Sequence, residues 1–504
     1  MGHETYRFTV KTPLHVGTGE KLGKTDIAPQ RSQWIVVDME SVFSLLQDNL
    51  SAFDALDDSN FDLSRFLKQN KISPGKVKKY SLVNPDNIRF DFRKTEVLEM
   101  IKTGMGKPII PGSSVKGAIR TVIWWHLMQL EENRSLLEEK LREILNNPRI
   151  SKERADDKLD KELFGKNPNY DVMRGLQVGD VEFELSDMRL VESKVLSLAR
   201  KGFGWKRFTT CSESLNPGAV SFGKMKLDEF LFDSPLARTL KFYEKKALFA
   251  SLPEECNEFA RNFIEEEIDF FKSCGMEEMV KFYTVFLKEI PESNTAFLIH
   301  LGWGSGWKSM TGNYLTENAL KKLRERFGLG KLICPQCGKD AKKDTRQEGK
   351  EFCFGCKKSF PIKLFPEFPK TRKIAFQNGK PAFPLGWIRV ERVSQAELSA
   401  SVPKPSPPKP RLSELMQNFE AFRLRPDPQK FVVFAQGITP GDMDELKAIS
   451  VQGVSIGYVG PFLACDIPDE IRKVLAGKLL EVIKKNKKWS ADKLEKYEKL
   501  RCMV

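Results

Sequence analysis

The chain has 504 residues, a net charge of +14 and a pI of about 9.1, which is long enough for two or three domains with cores of their own and basic enough to favour a polyanionic partner. Hydrophobic content of 40% argues against wholesale disorder, and no run approaches the roughly 20 apolar residues of a membrane span, so no membrane partner is expected. Nine cysteines, an odd number with four in two tight pairs, argue against a secreted disulfide framework; Met1-Gly2-His3-Glu4-Thr5-Tyr6 lacks the apolar core of a signal peptide, and a cytoplasmic protein is expected.

Tyr6-Arg7-Phe8-Thr9-Val10 alternates like a strand and leads into Leu14-His15-Val16-Gly17-Thr18-Gly19-Glu20-Lys21, read as a glycine-rich loop. Trp34 to Asp38 reads as the next strand, and helical patterns run from Val42 to Leu50 and from Phe61 to Lys68. Ile109-Ile110 is a short apolar approach that Pro111-Gly112 breaks, and Ser113-Ser114 can cap a helix carrying Lys116 and Arg120 on one face. Backbone N–H groups at a helix start, a permissive glycine and two cations together suit a phosphate. The plain alternative is a capped helix with two solvated cations. One long helix is expected through Leu127, Leu130, Leu136, Leu137, Leu141 and Leu145, ended by Asn146-Asn147-Pro148, with a short helix at Leu159 to Phe164.

A second block opens with strands at Gly175 to Phe183 and Leu190 to Leu198. In Trp205-Lys206-Arg207-Phe208 aromatics and cations interleave, a mixture that can stack bases and hold phosphates, although aromatics in strands are more often core. Residues 235–289 read as helical, with Phe259, Phe263, Phe270, Phe271, Phe282 and Phe286 as the buried side. Phe297 to Leu301 is a strand, followed by the loop Gly302-Trp303-Gly304-Ser305-Gly306-Trp307-Lys308. Strand, glycine loop and lysine thus occur twice, which hints at two related halves. Trp307 separates Gly306 from Lys308-Ser309, so this is not a Walker A loop, and the helix and acidic residue of a dinucleotide fingerprint are missing. An anion-binding nest at Gly302, Gly304, Gly306 and Lys308 is what is left.

Cys334-Pro335-Gln336-Cys337 is followed after fifteen residues by Cys353-Phe354-Gly355-Cys356. Two such knuckles present four thiolates, the closed tetrahedral shell of structural zinc, with no position left for a reactive water. Cys211, Cys256, Cys274, Cys465 and Cys502 lack such spacing and read as buried or incidental thiols. Val402 to Arg411 is too proline-rich for helix or central strand and reads as an extended linker. Beyond it, Phe431 to Ala435 reads as a strand, and Ile471 to Lys485 and Ala491 to Leu500 as lysine-rich helices, either a solvated surface or an RNA contact.

The stretches Thr12 to Gly19, Ile110 to Thr121 and Gly302 to Gly312 together resemble the RAMP superfamily of CRISPR proteins, and within it the branch formed by subunit five of the type III-A Csm effector complex. The resemblance spans about residues 5 to 395. It implies an α+β fold of two ferredoxin-like, RRM-like domains with helical insertions. On that basis the expected division is an N-terminal RAMP domain over 1–174 and a second RAMP-like domain over 175–401 carrying a zinc-ribbon-like insertion at 331–360. A linker at 402–411 and a small basic α/β domain at 412–504 complete it. The cysteine pairs and the tail after residue 402 depart from the family pattern.

What the resemblance implies for function is a non-catalytic RNA-binding subunit at the head of the effector filament, near the 3′ end of the crRNA, beside the backbone subunits. The residues expected on RNA are Gly17, Gly19, Lys21, Ser113, Ser114, Lys116, Arg120, Lys206, Arg207, Gly302, Gly304, Gly306 and Lys308; those expected on zinc are Cys334, Cys337, Cys353 and Cys356. The alternative is a RAMP-type ribonuclease, with His15 as a general base or Asp26 as the target-cleaving acid, neither with a visible partner.

Overall fold

The alternating strand at the start of the sequence becomes the centre of a sheet. In the computed structural model Glu4–Val10 pairs antiparallel with Val220–Leu227 on one side and Trp387–Arg392 on the other, and Leu176–Val178 and Ala296–His300 close the two edges. The structure describes residues 4–30, 32–46, 61–89, 91, 95–198, 203–240, 242–311, 313–329, 334, 336–337, 341–361, 368–394, 397, 428–438, 443, 446, 458–484 and 491–503. The expected helix end at 47–50 and the proline-rich linker at 402–411 lie outside them.

A second sheet runs Gly17–Leu22, Val97–Met100, Phe203–Leu215, Met188–Leu198, Lys78–Val83, Gln33–Val37, Ile27–Pro29, with Thr371–Gln377 and Lys380–Pro384 added beside Met188–Leu198. Mixed helix and curled sheet is the α+β, ferredoxin-like build expected of the chain. Both sheets draw strands from either side of residue 175, so neither corresponds to one sequential half. Gly17–Leu22, expected as a loop, is an exposed strand at the sheet's edge, and Gly306–Thr311 inside the second glycine segment is a short helix.

Helix Gly112–Gln129 forms because Val115, Ile119, Val122 and Ile123 recur at helical spacing, and all four are buried. It stops sooner than its leucine pattern suggests. Leu130 takes an extended conformation (φ −70°, ψ 132°) and Asn133 Nδ2 donates to the Leu127 carbonyl (2.8 Å), so the single helix expected through Leu145 is two, Gly112–Gln129 and Glu131–Asn146. Helix Leu252–Ser273 packs on the first of these through Trp125 and Phe259, 5.6 Å apart. Asn257 fastens it to a strand: its Nδ2 donates to the Ala296 carbonyl (2.9 Å) and its Oδ1 accepts from Leu298 N–H (3.1 Å). Arg372 clasps the buried carboxylate of Glu267 from the same helix and lies 3.9 Å over the Phe270 ring.

Residues 395–504 form a second compact unit. The strand expected at Phe431 to Ala435 is a helix, Pro428–Gln436. Phe431, Phe434 and Ala435 are its buried positions, at the spacing of three and one that a helix face gives, and Ile438 just beyond its end is buried as well. Among the described residues this unit is therefore helical, with Phe462, Ile471 and Leu475 completing its core, and the α/β character expected there is absent.

His300 ties the second glycine segment to the first sheet. It is stacked 4.4 Å from Trp387, its Nε2–H donates to the Leu385 carbonyl (2.6 Å) and, in the neutral ring, its Nδ1 accepts from the Ser309 hydroxyl (2.6 Å). Burial pushes its pKa down to about 4. Because the folded value lies below the unfolded one, the unfolded chain binds the extra proton, and stability present above pH 6.5 is lost as pH falls toward 4. Chemical denaturation at pH 7.5 and pH 4.5 should show the wild type losing about 2 to 3 kcal/mol more than His300→Gln, which has no ring to protonate. Equal losses in the two proteins would place the acid sensitivity elsewhere.

Candidate nucleic-acid interface

The two glycine segments meet at His15. Trp303 N–H donates to the His15 carbonyl (2.8 Å), and Gly302, at φ +85°, leaves room for that approach, since a Cβ there would sit 2.6 Å from the same oxygen. Gly17 is needed for a similar reason: a Cβ on it would meet His15 Nε2 at 2.7 Å. Gly304, at φ +97°, packs on Leu385. Gly19 and Gly306, both at positive φ, have open space where a Cβ would point, so they are the glycines of the set that leave their backbone accessible.

Both candidate catalytic residues are engaged within the fold. His15 is 2% exposed, its Nδ1–H donates to the Glu213 carbonyl (2.6 Å), and burial lowers its pKa. The Asp26 carboxylate accepts from Gly23 N–H (2.8 Å) and the Thr25 hydroxyl (3.3 Å), closing its own turn.

Helix Gly112–Gln129 starts at Gly112, with Pro111 as its N-cap and without a side-chain cap from Ser113 or Ser114. Its first N–H is taken: Gly112 donates to Asp180 Oδ1 at 2.8 Å, and a Cβ at Gly112 would collide with the Val178 carbonyl oxygen at 2.1 Å. The glycine serves close packing here, in place of the expected opening toward a phosphate. Arg120 is also committed. Its guanidinium donates to Asp160 and Asp171, 2.8 Å each, and lies 3.8 Å over the Phe164 ring. Lys116, one turn earlier on the same face, makes no ion pair among the described residues, and burial lowers its pKa.

Ser113, Lys116 and Gly117 form one wall of an open groove of about 510 Å³. The opposite wall brings three cations that the linear pattern did not single out, Lys161, Lys166 and Arg174. Gly165 at φ +138° makes the turn that presents Lys166, which lies 4.1 Å over the Tyr170 ring, and Arg174 Nη1 donates to the Asn169 carbonyl (2.5 Å). The signal for this wall was the basic turn Gly165-Lys166 directly after an amphipathic helix, Asp157–Phe164.

The other expected contacts are dispersed. Lys21 is exposed and pairs with Glu96 (2.6 Å), and Lys308 pairs with Glu266, which Asn313 also engages. Lys206 and Arg207 lie on the strand Phe203–Leu215, where Trp205 packs edge-on against Phe376 (4.9 Å) while Phe208 is 59% exposed.

The four paired cysteines converge. Their sulfur atoms all lie within 4.8 Å of one another, with Cys334 and Cys356 3.7 Å apart and Cys337 and Cys353 3.3 Å apart. Metal–thiolate bonds of about 2.3 Å in a tetrahedron require sulfur separations of about 3.8 Å. Gln336 and Cys356 direct backbone N–H groups at Cys334 and Cys353 (3.4 Å each), the knuckle pattern that stabilises thiolate charge. The group can therefore hold a metal ion.

With this geometry described, similarity to known proteins can be read. Csm5 of Methanocaldococcus jannaschii is 24% identical over 400 residues, covering 76% of this chain and 87% of that protein. Csm5 of Streptococcus thermophilus is 29% identical over 136 residues, 24% of this chain and 38% of that protein. In fold, the chain matches a subunit in the cryo-EM structure of a type III-A Csm–crRNA–target RNA ternary complex with a TM-score of 0.56 and 23% identity, covering 77% of this chain and all of that subunit. The crystal structure of T. onnurineus Csm5 matches with a TM-score of 0.50 and 19% identity over 76% of this chain and 99% of that one. The family pattern of the RAMP superfamily matches residues 7–309, more than half of the sequence, and the chain belongs to the RAMP superfamily.

Proposed function

We propose that this chain is a non-catalytic RNA-binding subunit of a type III-A Csm effector complex. In this reading it caps the filament near the 3′ end of the crRNA, docks on neighbouring RAMP backbone subunits, supports crRNA maturation with trimming left to a host nuclease, and serves antiviral defence in the cytoplasm. No helix among the described residues is long and apolar enough to cross a membrane. The observation that carries the reading is the basic groove at the start of helix Gly112–Gln129, in a chain similar to Csm5 proteins.

Phosphate binding falls to the groove's uncommitted cations. Lys116 is partly stripped of water and among the described residues has no carboxylate within ion-pair reach, so an arriving phosphate gives it a partner. Arg120 has the opposite role: it holds Asp160 and Asp171 together and so shapes the groove from within. The Gly17 to Lys21 edge, Lys206, Arg207 and the Gly302 to Lys308 segment extend the RNA surface in this reading, with Gly19 and Gly306 letting RNA come close to the backbone. The four cysteines hold a structural zinc, because an all-thiolate tetrahedral set leaves no coordination site for substrate.

Substitutions in the groove test this. Lys116→Gln with Lys166→Gln removes about two phosphate contacts, so the slope of log affinity for single-stranded RNA against log salt should shrink by about 1.4 with melting temperature unchanged. Arg120→Gln should instead destabilise the fold by about 1 to 2 kcal/mol, since it strands two half-buried carboxylates. An unchanged slope in the lysine pair would remove the groove from the RNA path.

Metal analysis should find about one zinc per chain, lost in Cys334→Ser/Cys353→Ser together with protease resistance of the segment around residues 334–361. Zinc content that survives the double substitution would rule out this site. In Mg²⁺ or Mn²⁺ the purified chain should bind guide RNA and leave it intact; cleavage abolished by His15→Ala or Asp26→Ala would establish the ribonuclease alternative.

A further inference from the structure

The cysteine module carries a surface that a purely structural metal does not require. Lys350–Cys353 and Lys358–Pro361 pair antiparallel, with Cys353 opposite Lys358 and Phe352 opposite Ser359, and a short strand Lys342–Lys343 completes the sheet. The pleat sorts the charges. The acids Asp344 and Glu351 are turned inward, 4% and 0% exposed, whereas Arg346, Lys350, Lys357 and Lys358 are exposed, with Glu348 the one exposed acid among the described residues of the module. Residues 331–361 hold eight lysines and arginines against four acids, so the module as a whole is cationic.

Aromatic groups share that face. Phe354, between the ligands Cys353 and Cys356, is 66% exposed, and its ring meets Phe352 edge-on at 5.2 Å. The Arg346 guanidinium lies 5.2 Å over the Phe352 ring and 3.7 Å from Asp344, which orients it while leaving 73% of its side chain exposed. Exposing a phenylalanine forfeits about 2 kcal/mol of burial, and metal knuckles do not need an aromatic between their ligands. A π surface flanked by guanidinium and ammonium groups is what a base and its neighbouring phosphates require.

We propose that this metal-bearing ribbon is a second RNA-binding site, which stacks one base of single-stranded RNA on Phe354 and holds the flanking phosphates with Arg346, Lys350, Lys357 and Lys358. The inference rests on the RNA-binding reading of the whole chain and adds a separate patch to it. Four thiolates around a divalent ion leave two negative charges at the module's centre. The inward N–H groups of the knuckles absorb part of that charge, and the cations stand on the exposed face. Stacking is indifferent to base identity, so the site supports affinity without sequence preference.

The test uses the full metal-loaded chain and a fluorescent fifteen-nucleotide oligouridine. Phe354→Ala should weaken binding about 5- to 150-fold, the range for one lost base–aromatic stack, with metal content and melting temperature unchanged. Phe354→Trp should restore affinity, and Phe354→Leu should not. Lys357→Gln/Lys358→Gln should shrink the salt slope by about 1.4. Restoration by leucine would mean apolar packing and overturn the stacking site. Wild-type RNA affinity in all the ribbon variants, with loss of co-purifying effector subunits, would make the surface a protein contact and overturn it too. If the groove variants weaken binding and the ribbon variants do not, the ribbon inference alone fails. If the wild-type chain binds no single-stranded RNA, the RNA reading itself fails.

Discussion

One buried carboxylate fixes the geometry on which the rest depends. Glu213 is fully enclosed, and its oxygens accept from the Tyr80 hydroxyl (2.6 Å), Met100 N–H (2.9 Å) and Lys102 Nζ (2.5 Å). Desolvating an ion costs several kcal/mol, which close cationic and hydrogen-bonding partners must offset. The same surroundings hold the Tyr80 phenol protonated, its pKa raised by burial and by the adjacent carboxylate. A slip of one residue in the strand Phe203–Leu215 would turn Glu213 to the opposite face of the sheet and strand both it and Lys102. Register is thereby set by charge as well as by hydrophobic pattern.

From that knot the two glycine segments are positioned outward. The Glu213 carbonyl orients the His15 ring, the His15 carbonyl receives Trp303, and so the late glycine segment is anchored to the early one across nearly three hundred residues. A histidine in this role is a structural hub. Its neutral ring and its carbonyl both face inward, which explains why residue type and glycine neighbours suggested chemistry that the buried position does not offer.

Much of this was legible in the sequence where local spacing carries the signal. The first strand, the helix opening at Gly112 and the cysteine knuckles follow from alternation, helical recurrence and fixed ligand spacing, and the structure places each of them. What local spacing could not supply depended on partners distant in sequence. Lys116 and Arg120 are alike on a helical face, and only Asp160 and Asp171, forty and more residues later, distinguish an available cation from a neutralised one. Phe431 to Ala435 failed for another reason: five apolar-rich residues are too few to separate strand from helix. Lys161, Lys166 and Arg174 become a groove wall only when the turn at Gly165 folds them across from Lys116.

The distribution of committed and available charge explains how a strongly basic chain can be selective about where it meets a polyanion. Many of its cations are quenched in pairs that build the fold, as Arg372 is by Glu267, Lys102 by Glu213 and Lys308 by Glu266. A phosphate approaching those sites would have to displace a carboxylate already held at hydrogen-bond distance, at a cost comparable to what it gains. Among the described residues, Lys116 and the outward cations of the cysteine module have no such competitor within ion-pair reach, apart from the contact of Arg346 with Asp344. Net charge attracts a polyanion to the chain as a whole, and the pattern of internal ion pairs limits which of its surfaces such a partner could occupy.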